Sequence, residues 1–310
     1  MTTTVHMKHL YFLLCTFLCL TPLSKNQAQG YIRGGVGAGF ATSQDAFGVP
    51  DVTRDAGNVV VSQRTIFGSF GQGIRASLAG GYMITPYFGV ELELYYFHGF
   101  KQNYGSTTGG TQNQWNRTGY SYQMRAIPSL VVQAPTEKFQ PYARFGVLVP
   151  FWGKTILEEN WAYVNGNTRE KQTDIDGKFS VGFEASMGVQ YNINDNLGIY
   201  IQATYTALRI RSDKASTTKD NETDNAGNVT NRLETSRVIF KEIEFQDELT
   251  PESNTSSALS VIPDLPPDVN VYVNNPSLDL DKPLNLPTQT SNFNTLAFSV
   301  GVKYTFSNKK

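Results

Sequence analysis

The sequence predicts an all-β chain, folded as an eight-stranded antiparallel up-and-down barrel that crosses a membrane with its strands. Three observations predict it. The last stretch, residues 292–306, alternates without interruption. Leu296, Phe298, Val300, Val302, Tyr304 and Phe306 point one way, and Thr295, Ala297, Ser299, Gly301, Lys303 and Thr305 point the other. Period 2 is the signature of a strand, and these two faces suit two solvents, lipid outside and a polar lumen inside. The connections between such stretches alternate long and short along the chain, as they do when short turns lie on one side of a membrane and long loops on the other. Aromatic residues gather at the strand ends. Tyr82, Phe88, Tyr191, Tyr304 and Phe306 fall at one rim, and Tyr96, Tyr120, Phe151, Trp152 and Tyr205 at the other. Two such girdles are expected where amphipathic rings meet the two interfaces.

The chain opens with Lys8 and an apolar run from Leu10 to Leu20, followed by a polar tail with the small residue Ala28. A run this short reads as a secretory signal peptide, since a spanning helix needs about 20 apolar residues. Residues 1–28 are therefore set apart from the fold, and residues 29–310 form one barrel domain. Met7 could serve as the start. Cys15 and Cys19 are the only cysteines and lie in the leader, in no lipoprotein-type pattern. The mature chain so has neither disulfides nor thiolate chemistry, and no transition-metal site or cofactor is expected. Loss of Lys8 and Lys25 leaves 24 basic residues against 27 acidic ones, so no bias towards nucleic acid follows.

The elements follow in order. Residues 31–40 alternate Ile32, Gly34, Val36, Ala38 and Phe40 against Arg33 and three glycines, and a polar loop is read at 41–64. The second strand, 66–84, sets Ile74, Ala76, Leu78 and Tyr82 against Arg75, Ser77 and Ala79 and ends in the turn Thr85-Pro86-Tyr87. The third is the clearest in the interior of the chain: Phe88, Val90, Leu92, Leu94 and Tyr96 outward, Gly89, Glu91, Glu93, Tyr95 and Phe97 inward. After a Gly/Ser/Thr/Asn loop, the fourth strand, 115–133, places Arg125 inward and contains Pro128, which implies a bulge or an unpaired position. The fifth, 141–152, turns Arg144 inward and is followed by a charged loop at 153–176. The sixth, 177–192, turns Glu184 inward, and a tight turn at 194–196 leads to the seventh, 197–211.

Residues 212–291 differ from the rest. They begin Ser/Thr/Asn/Asp-rich, which reads as mobile, and end proline-rich, which reads as extended. Between lie 237–245 and 269–273, expected to pair as strands above the membrane. Counting both as membrane strands gives ten, but their charge and shortness argue for eight. The acidic stretch at Asp220, Glu222 and Asp224 matches a calcium loop only loosely and reads as solvated. A loop this long is expected to meet an extracellular ligand or partner. A soluble β-sandwich would alternate too, but it requires neither alternating loop lengths nor aromatic rims.

The inward faces carry Arg33, Arg75, Glu91, Glu93, Arg125, Arg144, Glu184 and Lys303. Eight strands leave an interior just wide enough for side chains. These charges are therefore expected to pair with one another as a polar plug, with a narrow solute path as the alternative. Glu91 and Glu93 could act as a carboxylate pair in catalysis, but four nearby arginines favour salt bridges. His98, the single histidine left after the leader, points outward among aromatics, more an interfacial anchor than a catalytic base.

In strand style and layout the chain resembles the superfamily of small outer-membrane β-barrels of the OmpA, OmpW and opacity types. The window Ser299, Gly301, Tyr304 and Phe306 resembles their C-terminal assembly signal. The resemblance implies a bacterial outer-membrane location, contact with outer-membrane lipid, and recognition of the last strand by the barrel assembly machinery. It also implies a choice of roles: a non-enzymatic surface barrel, a porin-like channel for small or hydrophobic solutes, or a rim enzyme acting on lipid. The first is expected. Cell-wall anchoring through a peptidoglycan-binding domain after Phe306 is not expected.

Overall fold

The computed structural model describes residues 29–111, 113–250, 253–255 and 278–306. The leader expected at 1–28, the strand expected at 269–273 and most of the proline-rich stretch lie outside the described residues. Eight antiparallel strands close the barrel: β1 Gln29–Ala41, β2 Gly73–Met83, β3 Phe88–Gly99, β4 Gln114–Gln133, β5 Phe139–Ala162, β6 Gly182–Asn192, β7 Leu197–Ala207 and β8 Thr295–Thr305. Each pairs with the next, and β8 returns to β1 with Tyr31 opposite Thr305 and Gly35 opposite Gly301. Among the described residues no helix is long and apolar enough to cross a membrane.

The wall is apolar outside and polar inside. Leu78, Leu130, Phe145, Met187, Ile201 and Val300 are all more than half exposed, whereas Glu91, Glu93, Gln123, Ser186 and Thr204 are buried. This is the inverse of a water-soluble core and matches a lipid exterior. Both girdles are present. Phe139 packs on Tyr191 at 5.1 Å and Tyr304 on Phe306 at 5.4 Å at one rim, and Tyr122 packs on Trp152 at 5.3 Å at the other. Short turns join β2 to β3, β4 to β5 and β6 to β7. In the last, Asn194 Oδ1 accepts from the amides of Asn196 and Leu197, which is the reason for asparagine there.

Pro128 sits in β4 opposite Leu92 of β3, and on its other side the pairing with β5 lapses between Ala126 and Ser129. A separate register shift lies three residues before Pro128, between Met124 and Arg125, where Phe151 and Trp152 of β5 are both exposed. Proline cannot donate to the ladder, so its place at a position unpaired towards β5 is expected.

The long connections depart from their reading as loops. Residues 41–64 hold a hairpin, Asp45–Arg54 with Val60–Gly68, so the strand expected at 66–84 starts only at Gly73. The segment 153–176 is no loop either. β5 runs on to Ala162, and Thr168–Gly177 folds back on it. Arg209–Thr223, in the stretch read as mobile, pairs with Thr168–Gly177 instead. Glu242–Gln246 forms a strand, preceded by a short 3-10 turn at Val238–Phe240. It pairs with 214–216 and, in parallel, with Leu284–Pro287, so it belongs to this extension and is not a ninth membrane strand. Ala215, Ile239, Phe245, Leu284 and Leu286 form a small buried core between these pieces.

Candidate functional site

Inward parity brings Arg33 of β1, Arg75 of β2, Glu91 and Glu93 of β3, Arg144 of β5 and Glu184 of β6 into one cluster, each at most 7% exposed. Glu91 and Glu93 stand two residues apart and so share the lumen face of their strand. Arg33 donates to Glu91 from Nη2 at 2.8 Å, has Nε at the same distance from that carboxylate, and reaches Glu93 at 3.3 Å. Arg75 lies 3.1 Å from Glu93 and forks onto Glu184 at 3.2 and 3.4 Å. Arg144 approaches Glu91 at 3.1 Å and also contacts Glu93. Neutral donors occupy the remaining lone pairs: the Tyr31 hydroxyl donates to Glu91 at 2.8 Å and Thr206 to Glu184 at 3.1 Å. Gln202 Oε1 accepts from Arg33 at 2.9 Å and from Tyr142 at 3.0 Å.

Three carboxylates thus meet three guanidiniums. An isolated ion buried this deeply costs several kcal/mol, which this mutual pairing offsets. The void that reaches the cluster from the short-turn side, between Tyr31, Tyr142 and Lys303, measures about 20 Å³, room for about one water molecule. Glu91 and Glu93 therefore have arginines as neighbours and no space for a substrate.

Arg125 and Lys303 are not brought into this cluster. Arg125 donates to Gln123 at 2.8 Å and to the Tyr95 hydroxyl at 2.7 Å, and its guanidinium lies 4.7 Å from the Phe97 ring and 5.6 Å from that of Phe293. Lys303 Nζ sits 4.1 Å above the Tyr31 ring. The expectation that all eight charges pair with one another fails for these two, because aromatic faces meet them where carboxylates do not reach.

Around Arg125 the lumen is closed by a second layer that parity does not reveal. Phe70, Phe97, Ile127, Leu148, Leu208 and Phe293 pack together across it. Phe70 was expected inside strand two and Phe293 inside the last strand, but both come from breaks between strands. Ser69 Oγ donates to the Asn292 carbonyl at 3.0 Å, and Asn292 Oδ1 accepts from the Asn294 amide at 2.8 Å. These local turns aim the two rings inward. The sole signal in the sequence is the pair of turn-forming residues flanking each ring, Ser69 and Gly71, Asn292 and Asn294.

In the C-terminal window, Ser299 faces inward, while Tyr304 and Phe306 are exposed. A Cβ on Gly301 would collide with the Gly34 carbonyl and the Tyr200 hydroxyl. Glycine is thus required at that position by packing within the barrel. His98 lies at the long-loop rim, 3.4 Å from the Tyr96 hydroxyl and beside the Tyr120 ring. Among the described residues no group of three or more His, Cys, Asp or Glu side chains could hold a metal ion.

The extension carries a further set of ionic residues that strand parity misses. Arg117 pairs with Glu159 across β4 and β5, and Arg169 forks onto Asp220 at 2.6 and 2.7 Å. Asp220 is buried in this pair and does not belong to a solvated loop. Asp224 instead closes a hairpin turn by accepting from the amides of Ala226 and Asn228.

The family described as the outer membrane protein beta-barrel domain matches residues 10–233. No curated protein matches the chain. Among solved structures, the chain is similar to the outer membrane protein OprG from Pseudomonas aeruginosa, at 13% identity over 90% of this chain and 96% of that one, with a TM-score of 0.40. It is similar to Ail, the attachment invasion locus protein of Yersinia pestis, crystallised with the heparin analogue sucrose octasulfate. That likeness has 9% identity, 91% and 100% coverage and a TM-score of 0.32. The outer membrane protease OmpT from Escherichia coli follows at 8% identity, 93% and 99% coverage and a TM-score of 0.33.

Proposed function

Because this chain belongs to the outer membrane β-barrel family, we propose that it is a closed, non-enzymatic barrel of the bacterial outer membrane whose extension carries the contact with an extracellular partner or surface. The observation that supports this most is the filling of the lumen by two stacked layers, the six-member ion cluster and the apolar layer above it. Side chains in a narrow barrel fill it in this way when the barrel acts as a support. A non-enzymatic role is supported by the engagement of Glu91 and Glu93 with arginines and by the aromatic surroundings of His98.

On this reading residues 1–28 direct export and are removed. Ser299, Gly301, Tyr304 and Phe306 present the last strand to the assembly machinery, and outer-membrane lipid covers the exposed apolar faces. The four long connections fold into one platform, held to the barrel by the run of β4 and β5 through the rim.

The test is conductance. The refolded mature protein in planar bilayers is expected to leave the current at baseline. Discrete openings of uniform size would replace this reading with a narrow channel for small solutes.

A further inference from the structure

Above the apolar layer the extension encloses a chamber of about 490 Å³, within the range of pockets that take small organic molecules. Its floor is aromatic. Phe47 stacks on Tyr104 at 4.3 Å, and Phe70 lies 6.1 Å from the same ring. Trp161 stands in the wall, with the Arg169 guanidinium 5.0 Å from its ring.

Of the charged residues that line this chamber, Arg117, Glu159 and Arg169 are held in ion pairs and Lys171 is not. Lys171 lies directly across the ladder from Glu159 on one side and from Asp220 on the other. Arg169 forks onto both oxygens of Asp220, and Arg117 engages Glu159 through Oε1. A planar guanidinium matches the geometry of a carboxylate better than a compact, strongly hydrated ammonium does, which favours the arginines for these partners. Lys171 is left half-buried in the chamber wall, with no hydrogen bond or ion pair to any described residue. Burial holds its ammonium below the ordinary lysine range, against the opposing pull of Glu159. The other acid of the lining, Asp45, is exposed, where salt screens it.

We propose that this chamber binds a small organic monoanion, a carboxylate on an apolar or aromatic body, with Lys171 holding the charged end and the Phe47, Tyr104 and Trp161 rings holding the body. A carboxylate would give the ammonium the partner that the arginines deny it. The proposal goes beyond the closed-barrel reading and is independent of it, since the chamber lies outside the lumen cluster.

The experiment uses the mature protein in lipid nanodiscs, titrated calorimetrically with naphthoate and with its neutral amide, naphthamide, after subtraction of empty discs. Naphthoate is expected to bind saturably at one site per chain and about tenfold tighter than naphthamide, the usual worth of a charge-assisted bond. Lys171→Met should abolish that preference and leave naphthamide unchanged, and Lys171→Arg should keep it. Equal binding of the two probes by the wild type needs no variant to interpret and overturns the proposal. So does no saturable binding, or a Lys171→Met protein that still prefers naphthoate. Baseline conductance together with any of these results would remove the chamber ligand and leave the closed barrel standing.

Discussion

The membrane wall and the extension are built from the same strands yet turn opposite faces to their surroundings. In the wall, Leu78 and Val300 face outward and Glu91 and Glu93 are sealed inside. In the extension, Phe245, Leu284 and Leu286 are inside, and ion pairs such as Lys214–Glu244 at 3.1 Å and Arg237–Asp281 at 3.0 Å lie on the surface. β5 passes from one regime into the other between Phe139 and Ala162. The contrast shows that alternation alone states only that two faces differ. Which one becomes the interior is decided by the solvent outside, lipid in one case and water in the other.

The largest expected effect comes from breaking the lumen cluster. Glu93 contacts Arg33, Arg75 and Arg144, so Glu93→Gln leaves buried guanidiniums short of charge and should cost roughly 3–5 kcal/mol in urea unfolding from micelles. Glu244→Gln removes an exposed pair of the extension and should cost less than about 1 kcal/mol. Equal losses in the two variants would break the comparison.

A second pair sharpens it. Leu78 in β2 and Val61 in the Val60–Gly68 hairpin are 64% and 60% exposed, so burial does not separate them. Leu78→Arg should cost about 2–4 kcal/mol, because its neighbour is lipid. Val61→Arg should stay within about 0.5 kcal/mol, because its neighbour is water. Unfolding of the two proteins in lipid vesicles measures the difference directly.

The smallest effect concerns Asp247, held by Lys178, Thr288 and Arg211, whose bonds keep its carboxyl far below the usual carboxylate range. A depressed folded value means that its contribution is complete above the ordinary carboxylate range and is lost as pH falls through that range towards the folded value. Hydrogen-exchange protection at Ser212 and Thr288, whose amides bond across this junction, should hold from neutral pH to about pH 5 and fall only below it.

The two regions also differ in how far they could be read without coordinates. Arg33, Glu91, Arg144 and Glu184 could be placed on the lumen side from parity alone, because a strand keeps its faces for its whole length. That Arg33 takes Glu91 while Arg125 stacks on Phe97 depends on how eight strands stagger around the cylinder. In the extension, Arg169 and Asp220 are 51 residues apart, and nothing local announces their pairing. Phe70 and Phe293 were read as strand residues because their turns interrupt the alternation for only a few positions.

By itself the sequence determined the number of membrane strands, their faces, the sides of the short turns and the set of charges turned inward. All of these follow from a period of two and the spacing of its breaks, which are properties of neighbouring residues. Only the tertiary structure decided the pairing within the lumen, the apolar layer above it and the folding of the long connections into a platform with Lys171 left unpaired. Those depend on contacts between segments far apart in the chain, where the competition of one ammonium and two guanidiniums for two carboxylates is settled by geometry.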